Sequence, residues 1–394
     1  MQNIKEMADG ISDEIIAIRH DIHSHPELSN HETRTAALIT EKLREYGVDE
    51  IINPFGTAVI GVIKGHKGPG KCVGIRCDMD ALPVQENTKL AFSSTNNGVM
   101  HACGHDIHTA TMIGNAKLLC KLRNEFAGTV KLIFEPSEEY QPGGARKIIE
   151  SGAVDDVDFF FGMHVIPSEA DVGKIALIKG PATTSADVFQ IDVIGKGAHG
   201  SQPHLGKDAI LAACQLNILF QQIPARNVDP LDTIILTTNV ISGGTKVNIL
   251  PEKSHLAGCI RCYTAETREI AMQKMRDICR GVEAISGCTI KEDINYGYDA
   301  CINDPDLVNT LTTYFDKNLG PHSFIMMDSR VGFSEDFSFF STKTGKPSVL
   351  MFLYAGHAEG MCVSSLHAGD CTFDEKAIPY GMAAMVSAVF SVLD

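Results

Sequence analysis

Residues 100–114 read MHACGHDIHTATMIG, and the point inside this stretch where a helix begins decides how the rest of the chain is read. Five potential metal donors, His101, Cys103, His105, Asp106 and His108, stand just ahead of an apolar helical pattern. Imidazole and thiolate bind borderline-soft divalent ions, and a donor set this dense usually collects at a strand end or loop. Any one of these residues alone reads as a polar loop position or a core-facing cysteine. Five together point to metal chemistry, provided that more ligands come from elsewhere. The spacing predicts a helix over 107–123.

Working outward, CVGIRCDMDALPV and TAVIGVI on the N-terminal side are short β-type runs. AALITEKLREYG reads as a helix, opened by Ser29 and Glu32 at capping-box spacing and closed by Gly47. DEIIAIRHDIHSHPEL carries helical spacing and stops before Pro26. On the other side, TVKLIFEPSEE is a strand running into a carboxylate pair, GGARKIIESG a short helix and FFFGMHV a buried strand. This alternation predicts an α/β sheet covered on both faces, with functional loops at the carboxyl ends of strands. Asp78 and Asp80, Glu138 and Glu139, and His164 all fall at such ends.

From about residue 185 the rhythm changes to β-α-β-β-α-β, the split arrangement that folds as a four-stranded sheet with two helices on one face. The segment after it looks like more of the first domain. The expected organisation is therefore a discontinuous catalytic domain, 1–183 and 298–394, interrupted by a small domain over 184–297.

The chain has 394 residues, which suits two domains, and 44% hydrophobic residues, enough for a real core. A formal net charge of −15 argues against a nucleic-acid surface. No signal peptide and no uncharged apolar run of membrane-spanning length is read. Twelve cysteines, scattered without a framework and mostly inside apolar elements, suit reduced thiols in a cytoplasmic protein.

Glu138 and Glu139 alone could be two solvent-facing glutamates. After the buried run KLIF and before a Pro-Gly-Gly turn, one can ligate a metal while the other takes a proton from water. His164 and His367 are weak signals by themselves, a core histidine and a surface histidine. Taken together, the blocks RCDMDALPVQE, MHACGHDIHTA, FEPSEE, FGMHV, GKGAHGSQPH, VNILPE, GCIRCY, SEDFS and LHAGD closely resemble the M20 metallopeptidase clan. The resemblance is to its aminoacylase branch of hippurate hydrolases, N-acyl-amino-acid amidohydrolases, N-acetyldiaminopimelate deacetylases and auxin-conjugate hydrolases, and it covers nearly the whole chain.

That resemblance implies a zinc-exopeptidase-like α/β domain with a mixed sheet between helices, and an inserted ferredoxin-like lid through which copies form a homodimer or homotetramer. It implies two divalent ions, manganese or zinc with cobalt and nickel as further candidates, held by Cys103, His105, Glu139, His164 and His367. Glu138 matches the general base, and Asp80 a carboxylate that orients a metal-bound histidine, a duty Asp78 and Asp106 could share. His199 resembles the lid histidine that stabilises the oxyanion. Asn248 and Arg261 stand where the family contacts substrate, although Arg261 could equally be a surface charge on a strand. The activity implied is hydrolysis of N-acyl amino acids, with a dipeptidase or small-peptide carboxypeptidase as alternative. A metal-binding scaffold without catalysis is disfavoured by Glu138, since a closed structural site needs no base. A zinc base deaminase lacks its PCxxC partner motif here. Departures are Ile107 in place of a small residue, expected to narrow the site or pack behind it, and Ser137 for the usual alanine, a minor change. Ala368 and Gly369 after His367 depart as well, with the segment AGHAEGMCVSS before it, a region that borders the pocket in relatives and so bears on acyl preference.

Overall fold

The computed structural model describes residues 3–168, 172–320, 322–361 and 364–393. The chain divides into two compact units, one of residues 1–182, 302–330 and 336–394, the other of 183–301 and 331–335.

The first unit is built on a mixed eight-stranded sheet. Its strands include β1 (Glu50–Ile52), β2 (Val59–Lys64), β3 (Cys72–Asp78), β4 (Thr129–Glu135), β5 (Phe159–Ile166) and β6 (Ile175–Leu177), with Phe324–Met326 and Ser348–Tyr354 from later in the chain. Four central strands, β4, β3, β5 and Ser348–Tyr354, run parallel, so their carboxyl ends share one rim. Every residue of β3 is buried, as expected of a parallel strand covered on both faces. Side chains alternate along β5: Phe161, Met163 and Val165 enter the main core, while Phe160 and Gly162 meet Phe340 and Phe337 on the other face. His164 stands inside β5 rather than at its end, because the strand runs on to Ile166.

Helices α1 (Ile4–Asp9), α2 (Ser12–Ser24), α3 (Thr33–Glu45) and α4 (His105–Lys121) precede β4, and the last helix is Ala377–Leu393. Helix α4 packs against α2, β3 and the last helix and is buried nearly all round, so it has no polar face to display. It begins two residues earlier than its apolar spacing suggests, which places His105, Asp106 and His108 on its first turn.

The expected capping box at Ser29 and Glu32 does not form. Glu27 caps α3 instead, accepting from the amides of Arg34 and Thr35 at 2.9 Å each. Ser29 and Glu32 turn away from the helix: Ser29 donates to Asp80, and Glu32 accepts from the Ser137 amide. The spacing of a capping box is satisfied, but stronger acceptors and donors from other segments win the groups.

Two buried ion networks fix the rim. Arg76 on β3 donates to Glu135 at 2.6 Å, Asp78 at 2.7 Å and Asp336 at 2.8 Å, all of them buried. On the other side, Arg19 and His23 of α2 both donate to Asp106 at 2.9 Å, and Arg19 also reaches Glu375. Against the cost of burial, the charges of Asp106 and Glu86 raise the His23 pKa from 6.5 to about 9.

The second unit is a four-stranded antiparallel sheet in the order Ile234–Gly243, Lys253–Cys262, Ala186–Ile194, Thr289–Tyr298. Helices Ala209–Phe220 and Ala265–Ser286 cover one face, where Phe189, Ile191 and Val193 pack with Leu216, Met272 and Met275. The β-α-β-β-α-β rhythm thus folds into the split arrangement that it suggests. Among the described residues, no helix of either unit is long and apolar enough to cross a membrane.

Removing one partner of a buried ion cluster costs about 3–5 kcal/mol. Arg76→Ala is therefore expected to lower the urea-unfolding free energy by that amount, and a loss within the ~1 kcal/mol of a surface pair would refute the assignment. His23 gains affinity for its proton on folding, so its contribution is complete below pH 6.5 and disappears as pH rises through about 9. Unfolding measured from pH 6 to 10 should show a decline on the order of 3 kcal/mol that His23→Gln removes.

Candidate metal centre

Cys103, Gly104 and His105 form the corner from which α4 departs. Gly104 has φ 85°, and a Cβ there would lie 2.4 Å from Val165. Only glycine fits, because the corner needs both a left-handed backbone and contact with β5. This brings the Cys103 thiol and the His105 imidazole, both buried, to the same place.

Asp80, two residues past β3, organises the pocket. The backbone carbonyl and Oδ1 of Asp80 stand 3.0 and 3.2 Å from His105 Nδ1, which directs Nε2 into the pocket. Its two oxygens also accept from the amides of Glu138 and Glu139 at 3.2 and 3.0 Å, and Oδ2 from the Ser29 hydroxyl at 2.6 Å. Asp78 has a different task. It lies 2.6 Å from His108 Nδ1, and His108 Nε2 accepts the Val165 amide at 2.8 Å. Both nitrogens of His108 are thereby committed, so it anchors β5 and has none left for a metal. Asp106 faces Arg19 and His23. Among the three aspartates, then, Asp80 is the one whose side chain meets the His105 Nδ1.

Glu138 and Glu139 follow β4 after a turn at Pro136 and Ser137, and Ser137 has φ 63°. That left-handed residue lets neighbouring carboxylates serve one pocket, which two residues in a continuous strand could not do. Glu138 is 6% exposed. His164 projects Nε2 to 3.5 Å from the Cys103 sulfur while its Nδ1 lies 2.7 Å from the Val165 carbonyl. His367, also at positive φ, is half exposed, with Nε2 3.2 Å from Glu139 Oε1.

Donor atoms of Cys103, His105 and His164 lie within 4.8 Å of one another, as do those of Cys103, Glu139 and His367, and those of His105, Glu138 and Glu139. Cys103 belongs to the first two groups and Glu139 to the last two. The residues fit divalent ions by a direct observation: the buried His105 Nε2 makes no hydrogen bond and stands 4.0 Å from Glu139 Oε1. Such an unsatisfied atom costs about 1–3 kcal/mol. Burial, then the charges of Glu139 and Glu138, push the Cys103 thiol pKa up. Against burial, Asp78 and Asp80 raise His105 to about 10. The His105 shift, made against burial, marks carboxylates that favour positive charge in the pocket. One thiolate with imidazoles and carboxylates is the donor chemistry of zinc, manganese, cobalt or nickel.

The remaining candidates belong to the second unit. A short ladder pairs Ile249 with His199, setting His199 and Asn248 on neighbouring loops. His199 Nδ1 lies 2.7 Å from the Ser201 hydroxyl. Arg261 is half-buried on its strand and donates to Ser334. Sequence reasoning missed Glu32, Arg76 and the anchoring role of His108. For Glu32 the signal was misassigned to a helix cap. Within AGHAEGMCVSS, residues 362 and 363 lie outside the described residues.

Comparison with known proteins agrees with this architecture. The chain is 39% identical to thermostable carboxypeptidase 1 of Saccharolobus solfataricus over 98% of its own length and 96% of the relative's. It is 39% identical to an N-acyl-L-amino acid amidohydrolase of Geobacillus stearothermophilus, covering 77% and 81% of the two chains. A crystal structure described as a dinuclear metal-binding peptidase of the M20 family from Bacillus subtilis superposes with a TM-score of 0.85 at 31% identity, over 98% and 99%. The model of peptidase family M20/M25/M40 matches residues 74–391, a span holding every donor assembled above. With that match and these relatives, the chain belongs to the M20/M25/M40 peptidase family, a family of amide-bond hydrolases.

Proposed function

We propose that the protein hydrolyses N-acyl amino acids to a carboxylic acid and a free amino acid. The observation carrying this reading is the buried Glu138 carboxylate beside a shared donor set of Cys103, His105, Glu139, His164 and His367. The Geobacillus relative, an N-acyl-L-amino acid amidohydrolase, supports the substrate class. Two divalent ions, manganese or zinc, held by those five residues would polarise the acyl carbonyl and lower the pKa of water. Glu138 takes the proton from the attacking water and hands it to the leaving amine. Asp80 keeps His105 in the tautomer with Nε2 directed at the pocket and holds the amides behind Glu138 and Glu139.

For the second unit we propose a lid and dimerisation role. His199 is read as the group that stabilises the tetrahedral oxyanion, and Asn248 and Arg261 as contacts to the substrate, with Arg261 suited to its carboxylate. Its edge strand Ile234–Gly243 exposes Val240 and Ile241, which suits pairing with a second copy. Cys72, Cys77, Cys103, Cys120 and Cys371 of the first unit are free thiols, consistent with a cytoplasmic setting. A small-peptide carboxypeptidase is the second reading, favoured by the Saccharolobus relative.

A screen of acetyl-, benzoyl- and longer acyl amino acids against dipeptides separates the two. Release of acid from acyl-glycine but not of amino acid from dipeptides is expected, and the reverse would favour the peptidase. Loss of a general base costs about 10²–10⁴-fold, so Glu138→Gln should lose that much kcat while binding manganese as before. Normal turnover by Glu138→Gln would remove it from this role. Chelation should abolish activity and also lower the melting temperature, because an ion that binds only the folded chain stabilises it. An unchanged melting temperature after chelation would count against a buried metal centre.

A further inference from the structure

Three consecutive amides in the turn that carries Glu138 and Glu139 are gripped by two buried carboxylates. Ser137 N donates to Glu32 Oε1 at 2.9 Å, Glu138 N to Asp80 Oδ1 at 3.2 Å and Glu139 N to Asp80 Oδ2 at 3.0 Å. Successive amides of this kind make an anion-binding concavity, and here its occupants are side chains of the same chain. Asp80 already touches His105, whereas Glu32 grips the turn through Ser137 alone, by its amide and, at 3.5 Å, its hydroxyl.

The turn needs such a grip. Ser137 has φ 63°, a left-handed conformation that crowds any residue with a Cβ. Relaxation of Ser137 to the extended region would restore strand alternation and send Glu138 and Glu139 to opposite faces. Glu32 is itself immobilised: it is wholly buried, Oε1 also accepts the Asn30 amide at 2.9 Å, and Oε2 accepts the Thr57 hydroxyl at 2.7 Å. A charged acceptor forms a stronger hydrogen bond than a neutral one and holds the amide in a fixed direction.

We propose that Glu32 is a positioning residue for hydrolysis, clamping the left-handed turn at Ser137 so that Glu138 and Glu139 address the same pocket. The inference rests on the reading of Glu138 as base and Glu139 as ligand. Nearby Glu27 supplies an internal contrast. It is also a carboxylate accepting backbone amides, but those of Arg34 and Thr35 at the start of α3, so its role is confined to the helix.

The test compares Glu32→Gln, Glu27→Gln and Glu138→Gln in the full-length, manganese-loaded protein, on the best substrate of the acyl-amino-acid screen. Outer partners of metal ligands typically matter by about 10–100-fold, so Glu32→Gln should lose that factor in kcat with little change in KM and should bind manganese about tenfold more weakly. Glu27→Gln should lower the melting temperature and leave kcat intact. Ser137→Gly, which adopts positive φ without a Cβ penalty, should partly restore kcat in the Glu32→Gln background. Should Glu32→Gln not fold, Thr57→Val, which removes the hydroxyl holding Glu32 Oε2, should lower kcat about fivefold, the equivalent of one hydrogen bond near 1 kcal/mol. Wild-type kcat and manganese affinity in Glu32→Gln, or in Thr57→Val where that is the variant studied, overturn the proposal if Glu138→Gln is inactive. An active Glu138→Gln overturns instead the reading on which it rests.

Discussion

A carboxylate taken out of water must find hydrogen-bond donors or opposite charge, and this requirement organises the first unit around one rim of its sheet. Asp78, Asp80, Asp106, Glu32, Glu135 and Asp336 are all buried there. Each is held through at least one oxygen by a named partner: Arg76 for three of them, Arg19 and His23 for Asp106, backbone amides for Asp80 and Glu32, while Asp106 Oδ1 and Glu135 Oε1 make no hydrogen bond. Once these carboxylates are paid for, their positions are fixed, and with them the imidazoles and amides they hold. The precision of the donor set follows from the compensation of charge around it, since a donor that moved would expose a buried carboxylate.

This arrangement also explains why adjacent histidines have different fates. His105 and His108 sit on one turn of α4 with ring centroids 5.4 Å apart, and each faces an aspartate through Nδ1. The difference lies at the other nitrogen. His108 Nε2 meets the Val165 amide, whereas His105 Nε2 has no hydrogen-bond partner. An accepted backbone proton removes the lone pair that a metal would need. His108 therefore serves the strand that carries His164, and only His105 remains a candidate ligand from that turn.

Much of the fold was legible because its periodicities are strong. The alternating burial of the second unit and the largely apolar runs of β3 and β5, broken by Arg76 and Asp78 and by His164, follow directly from side-chain spacing. The donor types of the site were legible as a density of histidine, cysteine and carboxylate. Conformational detail was not. Nothing in the string PSEE announces that Ser137 is left-handed, because the cause lies 105 residues earlier in Glu32. The start of α4 was misjudged by two residues, since His105 and Asp106 read as polar loop positions until Arg19, His23 and Asp80 are seen to neutralise them. Local rules failed where long-range ionic partners took over from local hydrogen bonds.

Ser29 and Glu32 make the same point in energetic form. A capping box would have given each a single neutral amide on the helix, a contribution near 1 kcal/mol. In place of that, Ser29 meets the charged Asp80 and Glu32 collects two amides and a hydroxyl in the interior. For Ser29 the exchange replaces a neutral bond by a charge-assisted one, roughly twice as strong, and for Glu32 it raises the number of donors from one to three, while Glu27 takes over the helix. The N-terminal segment is thereby coupled to the turn bearing Glu138 through Glu32, and to the turn bearing Asp80 through Ser29. A stretch that looks like an ordinary helix start is, by the direction of its side chains, part of the wall behind the metal centre.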